Sequence, residues 1–444
     1  MENKMESMEI KKLVLNMSLP IIISMVIQAL YNIVDSMFVA GISQDALLSV
    51  SLCYPIQTMI IAVACGTGVG FNTVLSRYLG EHNKDKADRT TAHGIILSLF
   101  NWLIFAFLGL FFADKFLAVF SDRPGIIAMG SVYTRICTMF SFGVFIQITY
   151  ERIMQATGHV VYSMIMQGTG AILNIILDPI LIYGLCGMPK MGVAGAAIAT
   201  VLGQIVAMTL GILIVQKKIK TLHVDLRHFR FSKEITVKIY QIGIPAILMQ
   251  SIMSFMTVFM NMILGAFSQM AISVFSVYFK LQQFVFMAVS GMTNALIPIV
   301  AYNYGARHKE RIVKASDFSL LLAIGIMFFG MLIFQFMPRQ LLAMFQADAE
   351  MYTIGVPALR IISLSFVFAG ISMVLCSVFQ ALDLAKTSLI VTLLRQMVIL
   401  LPLTFILAKF FGLQACWWSF PITEIVCALL VLIFWKKIKD GLVF

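Results

Sequence analysis

Charged residues are scarce in this 444-residue sequence, and their scarcity excludes a soluble protein. Asp, Glu, Lys and Arg together make up 12% of the residues, whereas hydrophobic residues make up 60%. The mean hydropathy is +0.94, and a typical soluble domain carries about 25% charged residues. The apolar runs suffice for about twelve transmembrane helices. The composition therefore predicts an all-α integral membrane protein without a soluble domain.

Motifs of nucleotide hydrolysis and of common hydrolases are also absent. The sequence has no GxxxxGK[ST], no HExxH and no GxSxG, which excludes the corresponding P-loop, metalloprotease and serine-hydrolase sites. The seven cysteines lie in apolar segments without a CxxC pair. They are better explained as small buried side chains than as metal or redox ligands. We expect no enzyme activity, no organic cofactor and no bound metal beyond a coupling Na⁺.

The formal net charge of +11 is distributed unevenly along the chain. Lys and Arg concentrate at both ends and in alternate loops, such as those around Lys84, Lys217 and Lys309. Basic residues accumulate in the cytoplasmic loops of membrane proteins. We therefore expect an even number of spans with both termini cytoplasmic, and no binding of nucleic acid.

The sequence repeats itself at an offset of 225, the difference between the residue numbers of Pro20 and Pro245. At the same offset Ser43 falls on Ser268, Gln57 on Gln282, Gly66 on Gly291, Gly80 on Gly305 and Lys84 on Lys309. Each copy holds six predicted spans. Because six is an even number, both copies insert into the membrane with the same orientation. We therefore predict two pseudo-symmetric six-helix lobes, 1–220 and 221–444, with a substrate site between them and transport by alternating access.

An acidic residue, Asp35, lies near the end of the first apolar run. Ionisable residues inside a span are rare, and most of them are functional. Gln28, Tyr31, Asn32 and Asp35 share one face of the predicted helix. This face predicts a polar pocket.

Pro20 precedes Asp35 in the same predicted helix. Proline donates no backbone hydrogen bond, so the carbonyl of Asn16 lacks its helical partner and the helix can bend there. A bend that follows the charge of Asp35 is one interpretation. A purely structural kink, favoured by the repeat partner Pro245, is the other.

Asp178, in the segment 174–179, is the second intramembrane acid of the first lobe. Asn174 and Asp178 share a helix face, and Pro179 leaves the carbonyl of Ile175 free as a further oxygen ligand. The alternative is that Asp178 caps a helix end. Two carboxylates in one low-dielectric cavity favour a shared cation, so the pair is a candidate site for exchange of H⁺ or Na⁺.

The second lobe lacks this pair, since Asp35 falls on Met260 and Asp178 on Leu403. Its own charges within apolar runs are Lys280, Arg395 and Glu424. We expect all three to be buried, with an ion pair between Glu424 and one of the two cations. Glycines at positions 66, 68 and 70 form a GxGxG sequence that is better explained by close helix packing than by nucleotide binding.

The whole chain resembles the multidrug and toxic compound extrusion (MATE) family of transporters, and within it the bacterial multidrug exporters. The resemblance rests on Ser18-Leu19-Pro20, Tyr31-Asn32-Ile33-Val34-Asp35, Arg77-Tyr78-Leu79-Gly80, the segment from Asn174 to Pro179, and Gly192-Val193-Ala194-Gly195-Ala196-Ala197-Ile198-Ala199-Thr200. It implies twelve helices in two lobes around an outward-open, V-shaped cavity. It also implies a coupling-cation site at Asp35, Asn174, Asp178 and Thr200, with Gln28 and Tyr31 nearby and Pro20 at a bend.

The function that follows is a secondary active multidrug exporter of the bacterial cytoplasmic membrane. It would expel amphipathic, often cationic compounds in exchange for H⁺ or Na⁺, and we expect a multi-pass monomer in the lipid bilayer. Other family members use acids in the seventh and tenth spans, but this chain has none in the seventh, and its Asp383 lies at the cytoplasmic end of the tenth. The alternatives are a flippase for lipid-linked precursors, which needs a strongly basic central cavity, a membrane-embedded enzyme and a passive channel.

Overall fold

A computed structural model describes residues 4–224, 226 and 229–441 of the chain. The regular structure in these ranges is helical, without a strand. The first nine helices are α1 (Lys4–Ser7), α2 (Ile10–Ala40), α3 (Gln44–Gly80), α4 (Lys84–Ala118), α5 (Pro124–Met139), α6 (Phe142–Ala156), α7 (Val160–Tyr183), α8 (Val193–Lys218) and α9 (Lys233–Gly265). The others are α10 (Gln269–Gly305), α11 (Lys309–Phe336), α12 (Pro338–Ala343), α13 (Ala349–Ser363), α14 (Phe366–Ala381), α15 (Ala385–Leu393), α16 (Leu400–Phe411), α17 (Leu413–Cys416) and α18 (Ser419–Gly441), with a π-helical turn at Leu394–Val398.

Helices long and apolar enough to cross a membrane account for most of the described chain. Ten candidate spans meet this test by length and composition, two of them formed by consecutive helices, Ala385–Phe411 and Leu413–Gly441. Two bent pairs pass it jointly: α5 with α6, at 42°, and α13 with α14, at 46°. Counting each bent pair as one span gives up to 12. The predicted all-α membrane fold with about twelve spans is therefore confirmed.

The bounds of the helices repeat with the offset found in the sequence. Adding 225 to the residue numbers at both ends of α3 (Gln44–Gly80) gives both ends of α10 (Gln269–Gly305), and α4 and α11 begin at the same offset. The N-terminal caps repeat as well: the Ser43 hydroxyl accepts a hydrogen bond from the backbone N–H of Ala46, and the Ser268 hydroxyl accepts one from Met270. These caps satisfy backbone donors that a helix start leaves free.

The described residues form two compact units. Unit 1 holds the residues up to Ser7 together with Leu19–Ile247, and unit 2 holds Met8–Ser18 together with the residues from Leu248 onward. The boundary between the two units therefore crosses α2 beside Pro20, and it crosses α9 beside Pro245. The division into lobes 1–220 and 221–444 stays a prediction. The two compact units do not coincide with these lobes, because α2 and α9 each contribute residues to both units.

Small residues explain why the first part of α9 packs within unit 1. A Cβ added at Gly70 in α3 would lie 2.9 Å from the backbone nitrogen of Gly243 in α9, and one added at Gly66 would lie 2.7 Å from that of Ile247. Real Cβ atoms do not approach backbone so closely, so these positions need glycine. Gly68 faces the Arg152 side chain instead, at 3.3 Å from its Cγ. The GxGxG sequence is thus a helix-packing feature, as predicted.

A buried histidine holds the chain segment between the two repeats against α4. His93 is 1% exposed, and its Nε2 accepts a hydrogen bond of 2.7 Å from the backbone N–H of Ser232. Its Nδ1 lies 2.7 Å from the carbonyl oxygen of Arg89, so Nδ1 carries the proton. The rings of Phe229 and Phe231 pack beside it. His93 therefore has a structural role.

Candidate functional site

Two acids meet inside unit 1. Asp35 lies in the part of α2 that belongs to unit 1, and Asp178 lies in α7 with 0% of its surface exposed. Their carboxyl groups are within hydrogen-bonding reach of each other. Carboxylates only accept hydrogen bonds, so this contact becomes a bond when one of the two groups holds a proton. The structure thus brings together the two acids that the sequence singled out.

Several oxygen atoms around this pair are buried without a hydrogen-bond donor. They are Oδ1 of Asp35, both carboxyl oxygens of Asp178 and Oδ1 of Asn174. Buried acceptors in folded proteins are nearly always satisfied, because leaving one unpaired costs about 1–3 kcal/mol. A group of acceptors without donors is the environment that a bound cation satisfies.

The close packing of α7 on α8 positions the remaining members of the predicted cation site. A Cβ added at Gly170 in α7 would lie 2.9 Å from the carbonyl oxygen of Gly203 in α8. This approach lets Nδ2 of Asn174 donate to Oγ1 of Thr200 at 3.4 Å, a long hydrogen bond. The amide donor of Asn174 is occupied in this way, which leaves its carbonyl oxygen available as a ligand.

The predicted pocket residues on α2 differ in their surroundings. The Tyr31 hydroxyl lies close to both acids and within hydrogen-bonding reach of the Gln28 side chain. Gln28 and Asn32 are themselves exposed, and the carbonyl of Asn32 accepts a hydrogen bond of 2.8 Å from Ser36. Tyr31 is therefore the pocket residue that the structure places beside the acids, while Asn32 lies on the same helix without joining them.

Pro20 is buried within α2, which continues through it as one helix from Ile10 to Ala40. The hydroxyl of Ser24 donates to the carbonyl oxygen of Pro20 at 2.8 Å. The bend at Pro20 stays a prediction. Its position at the point where α2 passes from one unit to the other is consistent with a hinge.

Unit 2 contains an ion pair where the sequence predicted buried charges. Arg395 Nε lies 3.5 Å from Glu424 Oε1, and each of the two side chains is 14% exposed. Arg395 lies in the π-helical turn Leu394–Val398, a rare distortion that often marks functional positions. The second oxygen of Glu424 has no hydrogen-bond partner.

The expectation of a buried Lys280 is wrong. Its side chain in α10 is exposed, and Arg395 is the cation that pairs with Glu424. A lysine within an apolar run still has a free helix face, and its long stem allows the ammonium group to reach a polar surface.

A buried polar network that the sequence did not single out crosses α3 and α6. Nη1 of Arg152 donates to Oε1 of Gln155 at 2.8 Å, and Nε2 of Gln155 donates to Glu151 at 2.8 Å. Nδ2 of Asn72 also donates to Gln155, at 3.4 Å. The one signal in the sequence was the repetition of Gln155-Ala156 as Gln380-Ala381. Since its members largely satisfy one another, this network is better explained as structural than as a cation site.

With this geometry established, comparison with known proteins identifies the family. The MatE family model matches residues 20–180 and 245–406. The chain belongs to the MATE family of transporters. The two matches begin at positions 20 and 245, the offset of the repeat, which confirms both the predicted duplication and the resemblance found in the sequence.

Known multidrug export proteins match over nearly the whole chain. The multidrug export protein MepA of Staphylococcus aureus (strain MSSA476) is 27% identical over 441 residues, covering 98% of this chain and 96% of MepA. MepA of Staphylococcus haemolyticus (strain JCSC1435) is 27% identical over 439 residues, with the same coverage. The chain is thus a multi-pass membrane transporter of a multidrug export family, and the family assignment does not favour the flippase alternative.

Solved transporter structures share the fold. An outward-facing multidrug resistance MATE transporter of the MOP superfamily has a TM-score of 0.92 and 26% identity, covering 99% of this chain and 98% of the other. A MOP superfamily transporter from Pyrococcus furiosus, described as having a binding pocket of reversed polarity, has a TM-score of 0.92 and 25% identity, covering 100% and 99%. These likenesses confirm the predicted fold class.

Proposed function

We propose that this protein is an antiporter that exports amphipathic, often cationic compounds in exchange for H⁺ or Na⁺. The observation that carries the proposal is the contact between Asp35 and Asp178 amid buried acceptors without donors. Two ionised carboxylates in contact repel each other strongly in a low-dielectric interior. A cation between them removes that repulsion, so occupancy of the site by a cation favours the arrangement seen here.

Either of two cations fits this environment. A single proton converts the contact into a carboxyl–carboxylate hydrogen bond, which is the simpler occupant. A Na⁺ ion would use oxygens of Asp35 and Asp178 together with the carbonyl oxygen of Asn174. Thr200 holds the Asn174 amide in place for that role.

Release of the cation would couple to movement through α2. This helix carries Asp35 within unit 1, and its first part belongs to unit 2. Loss of the cation leaves two like charges in contact and favours a different separation of α2 from α7. Pro20, at the crossing between the units, is the position where α2 would bend.

The family relatives support the substrate class. MepA of Staphylococcus aureus is a multidrug export protein. We infer that this chain takes similarly varied substrates, works in the bacterial cytoplasmic membrane with both termini cytoplasmic, and acts as a monomer. The many methionines and phenylalanines, 30 and 36 in number, supply apolar side chains that adapt to differently shaped ligands.

The experiment measures efflux of ethidium from proteoliposomes under an imposed pH gradient or an imposed Na⁺ gradient. We expect wild type to extrude the dye under one of the two gradients, which identifies the ion. Asp35→Asn and Asp178→Asn should abolish gradient-driven efflux while the proteins remain folded. Wild-type efflux rates in both variants would refute the coupling role of the acids. Absence of gradient-driven efflux by wild type would refute antiport of this substrate class.

A further inference from the structure

A pocket of about 290 Å³ lies where the candidate span α11 ends and α12 begins. Its lining residues are Phe336, Pro338, Arg339, Gln340, Val356 and Arg360. Two arginines therefore line one small pocket together with apolar side chains. None of the lining residues is acidic.

Both arginines lack an acidic partner in the part of the chain that the structure describes. Arg360 is fixed at the pocket wall, because its Nε donates to the carbonyl oxygen of Gln335 at 3.2 Å and the Gln335 amide donates to the carbonyl of Arg360 at 2.6 Å. Arg339 is exposed in α12. The pocket thus holds two positive charges that nothing in it neutralises.

The first copy of the repeat has an acidic residue at the position that corresponds to Arg339. At the offset of 225, Arg339 falls on Asp114, and Arg360 falls on Arg135. Arg135 and Asp114 form a salt bridge in unit 1. The same place in unit 2 holds arginine instead of aspartate, so the ion pair is replaced by two like charges. Two positive charges on one pocket repel each other, and an anion bound between them would offset that repulsion.

We propose that Arg339 and Arg360 bind the phosphate group of an anionic phospholipid. The planar guanidinium fork matches phosphate oxygens in pairs. Phe336, at the last turn of the apolar span, is 77% exposed and offers a surface for an acyl chain beside the two charges. The end of a span is the depth of lipid headgroups. This inference rests on the proposed orientation, in which both termini are cytoplasmic and this end of α11 faces the outer leaflet.

The test is native mass spectrometry of the purified full-length protein titrated with phosphatidylglycerol, with phosphatidylcholine as the lipid without net charge. A surface arginine contributes about a fivefold gain in affinity for anionic lipid. We therefore expect Arg339→Gln and Arg360→Gln each to weaken binding of the first phosphatidylglycerol about fivefold. Lys190→Gln removes an exposed charge from a loop on the same predicted side of the membrane, in unit 1, and should leave binding unchanged.

Arg339→Asp provides a variant that should fold, because it copies the pairing of Asp114 with Arg135. It should abolish the preference for phosphatidylglycerol over phosphatidylcholine at this site, and thermal unfolding checks that the protein is intact. Wild-type binding of phosphatidylglycerol by all three arginine variants would overturn the proposal. Displacement of the lipid by inorganic phosphate alone would also overturn it, in favour of a free anion.

Discussion

Unit 1 and unit 2 carry charge at corresponding places in different ways. In unit 1, α7 and α8 touch through Gly170 and Gly203, and the acids nearby have no positive partner in reach among the described residues. In unit 2, Arg395 occupies the position of Gly170 at the offset of 225, and Glu424 replaces Gln204 at the offset of 220 that applies after a shorter loop. Unit 2 thus supplies its own counterion.

This difference bears on where the cation of the proposed antiport would bind. A site whose charge is balanced by the protein gains little from binding an ion, whereas a site left with unbalanced acceptors depends on one. Unit 1 has the site with unbalanced acceptors, whereas unit 2 has the site whose charge the protein itself balances. The two units should therefore differ in the sign and size of their responses to substitution.

The largest effect is expected from breaking the ion pair of unit 2. Arg395→Met or Glu424→Leu alone should lower the free energy of unfolding by about 3–5 kcal/mol, because each leaves a buried charge without its partner. The double variant should recover to within about 1 kcal/mol of wild type, since both charges are gone. Thermal unfolding in detergent measures these values. Equal stability of wild type and both single variants would mean that the pair is not buried in the working protein.

A smaller loss is expected from crowding the helix contact of unit 1. Gly70→Ala places a Cβ against the backbone of α9 and should cost about 2 kcal/mol of unfolding free energy. The counterpart of Gly70 in unit 2 is Ala295, which is buried and already carries a Cβ. The two units therefore differ in how tightly this helix packs.

The matched control for that substitution is Gly325→Ala in α11. A Cβ added there meets nothing within 4 Å. Because alanine favours helix over glycine, this variant should gain up to about 1 kcal/mol. The same sign of effect for both glycines in a thermal unfolding assay would contradict the close contact of α3 and α9.

The acid pair of unit 1 should respond in the opposite sense to the ion pair of unit 2. Asp178→Asn removes one of two like charges and supplies an amide donor to Asp35, so it should raise the free energy of unfolding by about 1 kcal/mol. The gain should grow as pH rises, because the wild-type pair then loses its shared proton and the asparagine variant has none to lose. Unfolding temperatures of both proteins across a pH series measure this. A variant less stable than wild type at high pH would argue for a structural role of Asp178.

The smallest effect concerns the hydrogen bond from Asn174 to Thr200. Its length of 3.4 Å makes it weak. Thr200→Val should therefore raise the coupling ion's half-saturation concentration only about twofold. Thr209→Val in the same helix is the control, because the Thr209 hydroxyl bonds to the carbonyl of Ile205 in its own helix. A loss of transport in Thr200→Val would instead make Thr200 a direct ligand of the ion.

The sequence alone was enough to predict the class of protein, about twelve spans and the repeat, because hydropathy and the spacing of identical residues do not depend on which segments touch. It also placed Tyr31 on the helix face of Asp35 and Asn174 on the helix face of Asp178. The bounds of α3 and α10, which the repeat relates, show how much of the fold such local signals specify.

Contacts between distant segments were decided by tertiary structure alone. Packing of α2 against α7 brought the two acids together and left Asn32 outside their contact, and packing within unit 2 selected Arg395 rather than Lys280 as the partner of Glu424. Packing also assigned the first part of α9 to unit 1 and placed Arg339 beside Arg360. These outcomes depend on which helix faces meet across the chain, and a pattern within one helix carries no information about the surface that it will face.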